Sequence, residues 1–196
     1  MRHGAVLALL GALAAPGGAE AADARRGAAL AAERNCAACH GERGRSAMPD
    51  IPSLAGQQPG FVTIQLVLFR EGLRDVPAMQ PAVEGLTDAQ IEDLAAWAAA
   101  LPPGPPPDRP RRDAARFAAG AAAAQRGRCG ICHTPDYRGQ QQVPLLVGQR
   151  EDYLARTLRE YRDGVRVGSD TQMNAALHGV ADADLDALAH HLSHLP

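Results

Sequence analysis

The sequence contains no lysine, few aromatic residues and only four cysteines. All 20 basic residues are arginine, and 22 acidic residues bring the formal net charge to −2. This balance excludes the strongly basic character that is typical of nucleic-acid-binding proteins. Aromatic residues make up 4% of the chain although 46% of it is hydrophobic. A large flat apolar cofactor would supply the core volume that aromatic side chains usually provide.

All four cysteines lie in two copies of one motif, CAACH at residues 36–40 and CGICH at residues 129–133. In Cys-x-x-Cys-His, each thiol can form a thioether with a haem vinyl group, and the histidine then binds the iron. A thioredoxin-like redox pair or half of a zinc site would not explain the histidine that ends both copies. The motifs therefore predict two covalently bound haem c groups. The predicted attachment residues are Cys36, Cys39, Cys129 and Cys132, and the predicted axial ligands are His40 and His133.

Residues 1–21 have the pattern of a secretory signal peptide. The charged start Met1–His3 is followed by an apolar run, Gly4–Ala15, which is too short to span a bilayer. Ala19–Ala21 then gives a small-x-small cleavage pattern, so we expect the mature chain to begin near Ala22. These features predict export to the periplasm. An uncleaved membrane anchor is the alternative.

The rest of the chain divides into two halves with the same order of predicted elements. In each half an alanine-rich helix leads to the motif, and a polar loop, a middle helix, a methionine-containing loop and a last helix follow. Thr87 and Gln90 predict a capping box at the start of the last helix of the first half. The six predicted helices cover 23–35, 61–70, 88–101, 113–125, 152–161 and 182–194.

The two halves also align residue by residue. Cys36 matches Cys129 at an offset of 93, and the segments 52–57 and 70–74 match 144–149 and 162–166 at an offset of 92. The proline-rich stretch between the halves cannot continue a helix. The sequence therefore predicts an all-α fold of two tandem domains. The predicted boundaries are 1–21 for the signal peptide, 22–101 for domain 1, 102–112 for the linker and 113–196 for domain 2.

Two methionines are candidates for the second axial position of the irons. Met79 lies 39 residues after His40, and Met173 lies 40 residues after His133. Their matched spacing and polar surroundings favour iron ligation over ordinary core packing. In the second half His178 is the alternative, because imidazole can also bind the iron at its second axial position.

The remaining methionine and the histidines near the C-terminus have other expected roles. Met48 has no counterpart in the second half and is expected to pack at the haem edge. The histidines of the final amphipathic segment, His190, His191 and His194, are expected on the surface of the last helix.

These features together resemble the two-haem cytochrome c4 family, over nearly all of the mature chain. Besides the tandem motifs and the methionines, the resemblance rests on a Pro-x-Leu-x-Gly-Gln segment and an Arg-x-Gly-x-Arg segment, which both halves carry. It implies two small class I cytochrome c domains with His/Met ligation. It also implies that the Pro52 and Pro144 carbonyls accept hydrogen bonds from the proximal imidazoles. The second half departs from the pattern because Thr134 follows its motif where the first half has glycine, and because no proline follows Met173.

The resemblance implies a non-catalytic electron carrier in the periplasm. Its redox partners would be a quinol-oxidising complex or another donor, and a terminal oxidase of a respiratory chain or another acceptor. The alternative is the electron-accepting subunit of a flavocytochrome c sulfide dehydrogenase-like enzyme. A flavoprotein subunit would then perform the catalysis, because the chain has no Gly-x-Gly-x-x-Gly run. Peripheral membrane association stays open.

A free-standing haem enzyme is the third class of function. A peroxidase would need an accessible iron, and a thiosulfate dehydrogenase would need a cysteine ligand. The two motifs use every cysteine of the chain. The sequence therefore disfavours this class.

Overall fold

The computed structural model describes residues 21–166 and 171–196, so the predicted signal peptide lies outside the described residues except for Ala21. Within these ranges the chain is helical, and its only β-type pairing is an isolated bridge between Gln140 and Val143. The all-α prediction is confirmed. The helices are α1 Ala24–Glu33, α2 Ala37–His40, α3 Pro59–Arg70, α4 Gln80–Val83, α5 Asp88–Ala100, α6 Ala114–Arg126, α7 Glu151–Arg162, α8 Thr171–Leu177 and α9 Asp182–His194.

Short polar side chains start several of these helices. The Asp23 carboxylate accepts hydrogen bonds from two backbone N–H groups of the first turn of α1. Asp113 does the same for the Arg116 N–H in α6, and this bond holds the pKa of the Asp113 carboxyl below its usual value. The predicted capping box of Thr87 and Gln90 is present at the start of α5.

The first and last helices of each half cross at a glycine. A Cβ atom on Gly27 in α1 would lie 1.9 Å from the Asp93 carbonyl oxygen in α5. A Cβ atom on Gly120 in α6 would lie 2.0 Å from the Ala187 carbonyl oxygen in α9. Any larger residue would force the two helices apart. The glycines therefore fix how closely the helices that frame each motif can pack.

Each half buries an apolar cluster that contacts the first cysteine of its motif, just after the first helix ends. The cluster of the first half includes Leu30, Phe69, Val83 and Ile91. The cluster of the second half includes Ala124, Tyr161, Leu177, Leu185 and Leu188. None of the helices within the described ranges is long and apolar enough to cross a membrane.

Two glutamines hold the halves together through reciprocal contacts. The Gln57 side chain accepts from the Leu145 N–H at 2.7 Å and donates to the Leu145 carbonyl at 3.0 Å. The Gln149 side chain makes the same pair of bonds with Ser53, at 2.7 and 2.9 Å. Gln57 matches Gln149, and Ser53 matches Leu145, at the repeat offset of 92. The two halves are therefore related by an approximate two-fold axis.

The proline-rich linker between the halves contains no helix, as its prolines predict, and it contacts both halves. Arg150 is a buried residue that joins the linker to both halves. Its guanidinium binds Asp108 of the linker at 2.7 Å, Asp152 of α7 at 2.7 Å and the Ser46 carbonyl of the first half at 3.2 Å. The linker residue Pro106 is also buried.

Candidate haem sites

The first motif lies on α2, directly after a left-handed turn at Asn35, where φ is 55°. His40 is buried, and its Nδ1 donates a hydrogen bond to the Pro52 carbonyl at 2.8 Å. That bond places the ring proton on Nδ1 and leaves the Nε2 lone pair for a metal. Burial lowers the pKa of His40, and the Pro52 carbonyl acts in the opposite direction. The neutral form that ligation requires is therefore favoured.

The second motif repeats this arrangement on a short 3₁₀ turn, Cys129–Ile131, after a left-handed turn at Arg128 with φ of 51°. His133 is buried, and its Nδ1 lies 3.2 Å from the Pro144 carbonyl. Burial lowers the pKa of His133 as well. Both histidines therefore present Nε2 as the free ligand atom.

The residue after each motif histidine has a positive φ, although only one of the two is glycine. Gly41 has φ of 80°, and a Cβ atom there would lie 2.2 Å from the Arg45 carbonyl oxygen. Thr134 adopts φ of 67° despite its branched side chain. Its hydroxyl donates to Asp136 at 2.6 Å and also contacts the His133 carbonyl. These bonds offset the backbone strain, so the second motif keeps its geometry without glycine.

The four cysteines are free thiols arranged in the same way in both motifs. Cys36 and Cys129 are half-buried and pack against the apolar clusters of their halves, while Cys39 and Cys132 are exposed. Burial raises the pKa of the Cys36 and Cys129 thiols. One thiol of each pair thus lies at the apolar cluster and the other at the surface.

The structure brings each candidate methionine to the cluster that contains its motif. Met79 is half-buried at the end of the 3₁₀ turn Pro77–Met79 and packs against the same cluster as Cys36. Met173 is half-buried and packs against the same cluster as Cys129. His178 is exposed just after α8, and Met48 is 44% exposed.

The loop that we predicted around Met173 is wrong, because Met173 lies within helix α8. The segment Thr171–Leu177 has no proline, and it contains alanine and leucine, which favour a helix. The structure also shows a contact beside each methionine that the sequence did not reveal. The Gln80 side chain donates to the Phe69 carbonyl at 3.2 Å, and the Asn174 side chain donates to the Tyr161 carbonyl at 2.7 Å.

The expected surface position of the last-helix histidines is wrong for His190 and His191, which are buried. His190 donates from Nδ1 to Glu151 at 2.8 Å, and its Nε2 accepts from the Asp113 N–H at 3.0 Å. Glu151, His190 and His194 are close enough to resemble a metal site. However, the Asp113 bond leaves the only ring proton of neutral His190 on Nδ1, so this cluster is a hydrogen-bonded network rather than a ligand set.

Two arginine side chains lie together where the two halves meet, and Arg166 is paired with a carboxylate only at 3.8 Å, from Glu160. Arg74 and Arg166, one from each half, both donate to the Gln65 side-chain oxygen, at 2.6 and 3.1 Å. Burial alone would raise the pKa of the nearby Tyr153, but the two arginines lower it to about 8. Among the described residues, Arg166 Nε is buried without an acceptor. This donor set suits a carboxylate-bearing cofactor such as haem.

A cytochrome c family model matches residues 24–101 and again residues 117–196. Cytochrome c4 from Thiocapsa roseopersicina is 31% identical over 82% of this chain and 86% of its own length. The chain belongs to the cytochrome c4 family. The crystal structure of reduced cytochrome c4 from Pseudomonas stutzeri has a TM-score of 0.80 at 29% identity, and the match covers 90% of this chain and 100% of that one. A thiosulfate dehydrogenase electron acceptor from Stutzerimonas stutzeri is 32% identical over 90% of this chain and 88% of its own length.

Two predictions are confirmed by these findings. The fold consists of two tandem cytochrome c domains joined by a proline-rich linker. The cofactors are two covalently bound haem c groups, one for each motif. The free thiols, the histidines whose Nδ1 is occupied by a proline carbonyl, and the arginines Arg74 and Arg166 all fit these groups.

Proposed function

We propose that this chain is a periplasmic dihaem electron carrier in which both irons have six ligands. The same arrangement of side chains in both halves supports the proposal. A buried histidine has its Nδ1 occupied by a proline carbonyl, and a methionine packs against the same cluster as the inner cysteine of the motif. Methionine sulfur stabilises ferrous iron and raises its potential, and a closed iron excludes substrate chemistry.

The residues of the chain have distinct roles in this proposal. Cys36, Cys39, Cys129 and Cys132 attach the haems, which supply one-electron chemistry when bound. His40 and Met79 are the axial ligands in the first domain, and His133 and Met173 are those in the second. The Pro52 and Pro144 carbonyls fix the orientation of the histidine rings. The reciprocal glutamine contacts keep the two haem-binding domains in one arrangement.

We also propose that residues 1–21 direct export and that the mature chain contains domain 1 at 22–101, the linker at 102–112 and domain 2 at 113–196. Attachment through Cys-x-x-Cys-His and an apolar N-terminal run both support export. Cell fractionation and N-terminal sequencing test this proposal. We expect the haem-containing protein in the periplasmic fraction, beginning near Ala22. A chain that keeps residues 1–21 and stays with the membrane would show an uncleaved anchor instead.

For the direction of electron flow, we propose a donor such as a quinol-oxidising complex and a terminal oxidase as the acceptor. The test mixes the reduced protein with oxidase-containing membranes under oxygen and follows haem oxidation by absorbance. Oxidation that cyanide blocks would support the proposal. Membranes that oxidise an unrelated reduced cytochrome c but leave this protein reduced would overturn it.

A second candidate function is that of electron acceptor for a periplasmic enzyme, and the thiosulfate dehydrogenase electron acceptor among the relatives favours it. The catalysis would then belong to the partner. Anaerobic mixing of the oxidised protein with thiosulfate and a thiosulfate dehydrogenase should reduce both haems. A parallel reaction with sulfide and a flavoprotein sulfide dehydrogenase tests the flavocytochrome alternative. The substrate that reduces the haems only when its enzyme is present identifies the partner.

A further inference from the structure

The two methionines are held in different ways, although they occupy equivalent positions. Met79 has a proline two residues before it and another two residues after it, Pro77 and Pro81. The equivalent positions around Met173, at the offset of 94, are Thr171 and Ala175. Proline fixes φ and reduces the number of conformations that a loop can adopt. The first methionine segment is therefore restrained by its own backbone, whereas the second lacks this restraint.

The residue that follows each methionine ties its segment to the end of the middle helix. The Phe69 and Tyr161 carbonyls lie in the last turns of α3 and α7, where carbonyls have no partner further along the helix. Each accepts one bond from a glycine N–H, at 3.1 Å from Gly72 and at 3.2 Å from Gly164. A side-chain bond to each carbonyl comes from the amide beside the methionine.

The bond from the amide side chain to the helix-end carbonyl differs in length between the two halves. Gln80 reaches Phe69 at 3.2 Å, whereas the shorter Asn174 reaches Tyr161 at 2.7 Å. Both amide contacts are partly buried, so water replaces them only in part. The shorter bond thus occurs in the half whose methionine segment has no proline.

We infer that Asn174 is a positioning residue that keeps Met173 on the second haem iron, in place of the prolines that restrain Met79. This inference rests on methionine ligation as proposed above. Asn174 acts through Met173 and does not touch the iron. Loss of its bond frees helix α8 from the end of α7, and Met173 then leaves the iron more often. Gln80 makes the equivalent bond, but its loss leaves Met79 between two prolines.

The test compares Asn174→Ala with Gln80→Ala in the complete two-haem protein. Removing one hydrogen bond of ordinary strength should raise the open fraction of the second haem roughly two- to tenfold. Carbon monoxide binding to the ferrous protein measures that fraction, and the near-infrared band of methionine-ligated ferric haem should weaken in parallel. Gln80→Ala should change both signals much less. Asn174→Gln should restore them, because glutamine spans the same gap in the first half.

A further variant tests whether the prolines account for the difference. In a Pro81→Ala protein, Gln80→Ala should raise carbon monoxide binding at the first haem as much as Asn174→Ala raises it at the second. A purely structural role for Asn174 would lower the unfolding midpoint without changing carbon monoxide binding in the folded protein, and that result would overturn the inference.

Met173→Ala serves as the reference for complete opening of the second haem. If Met173→Ala opens one haem while Asn174→Ala and Gln80→Ala have equal effects, the positioning role is wrong and the ligation stands. If Met173→Ala opens neither haem, the ligation proposal itself is wrong and the inference fails with it.

Discussion

Gln149 binds the backbone of Ser53 from across the domain boundary through both atoms of its amide group, at 2.7 and 2.9 Å. Both residues are buried, so neither the N–H nor the carbonyl of Ser53 can find water if the amide is removed. Gln57 satisfies Leu145 in the same way. The domain boundary therefore depends on two side chains whose partners are main-chain atoms.

The first prediction concerns this contact. Gln149→Ala should lower the free energy of unfolding by about 1–3 kcal/mol, because it leaves a buried donor and a buried acceptor unsatisfied. Urea unfolding followed by circular dichroism measures the change. Gln58→Ala is the control, since Gln58 also bonds across the boundary but is less buried, and it should cost clearly less. Equal losses of stability for the two variants would contradict the importance of the buried Gln149 bonds.

The second prediction concerns the axial methionines. Met79→Ala and Met173→Ala should each lower the potential of one haem and leave the other nearly unchanged, because sulfur favours ferrous iron. Each variant should also lose part of the near-infrared methionine band. Redox titration and absorbance check both effects. His178→Ala is the control and should change neither, and an effect of His178→Ala in place of Met173→Ala would indicate bis-histidine ligation of the second haem.

The third prediction concerns the helix crossing at Gly120. Gly120→Ala should destabilise the second domain by about 1–3 kcal/mol or more, because the new methyl group meets a backbone carbonyl rather than a flexible side chain. Gly130→Ala is the matched control. Its Cβ atom would lie 3.5 Å from the nearest atom, and the first motif has alanine at that place. Thermal unfolding should separate the two variants clearly.

The fourth prediction concerns separation of the domains. Chains covering 22–101 and 113–196, exported separately, should each attach one haem, because each keeps its own apolar cluster and motif. Both should be less stable than the intact protein, since each loses the glutamine contacts. The piece 22–101 also loses the bond from Arg150 to the Ser46 carbonyl, and the piece 113–196 loses the bond from Arg150 to Asp108. Haem staining and urea unfolding measure these outcomes. Failure of both pieces to attach haem would show that they are not independent domains.

The fifth prediction concerns pH. His191 is buried between the Phe117 and Tyr137 rings, and burial lowers its pKa below 6.5. The unfolded chain then binds more protons than the folded one as pH falls through 6.5, so the folded state loses stability on acidification. Above that pH His191 is neutral in both states and has no such effect. His191→Gln should reduce the pH dependence of urea unfolding below pH 6.5. An unchanged dependence would assign the acid sensitivity to other groups.

The sequence predicted the elements that local patterns determine. The motifs predicted two haem c groups, the repeat predicted two tandem domains, and Thr87 with Gln90 predicted the start of α5. Each of these signals lies within a few residues of the chain or repeats at a constant offset. The methionine candidate of each half also lies beside the apolar cluster that the first cysteine of the motif contacts, as the nearly equal spacings of 39 and 40 residues predicted.

The remaining features depend on partners that are distant in the sequence. His190 is buried because Glu151 and the Asp113 N–H satisfy its two ring nitrogens, and neither lies near it in the chain. An amphipathic pattern alone places such a histidine at the surface. The contacts of Gln57 and Gln149 across the domain boundary could not be predicted from the sequence, which shows only that the two residues match at the repeat offset. Their partners are backbone atoms of the opposite domain. Helix α8 and the helical turns around Met79 are short, and their polar and proline residues are typical of loops, so the sequence pattern does not reveal them.

The reciprocal glutamine contacts have the form of an isologous interface, in which one surface patch meets a second copy of itself. The chain is in this respect a covalently joined dimer. In a dimer of identical subunits, every substitution would change both haem sites at once. Joining the copies in one chain removes that constraint. The two halves can therefore differ, as they do at Trp97 and the equivalent His191 and at Gly41 and the equivalent Thr134. Two sites with one origin can thus differ in their response to protons and to partners within a single molecule.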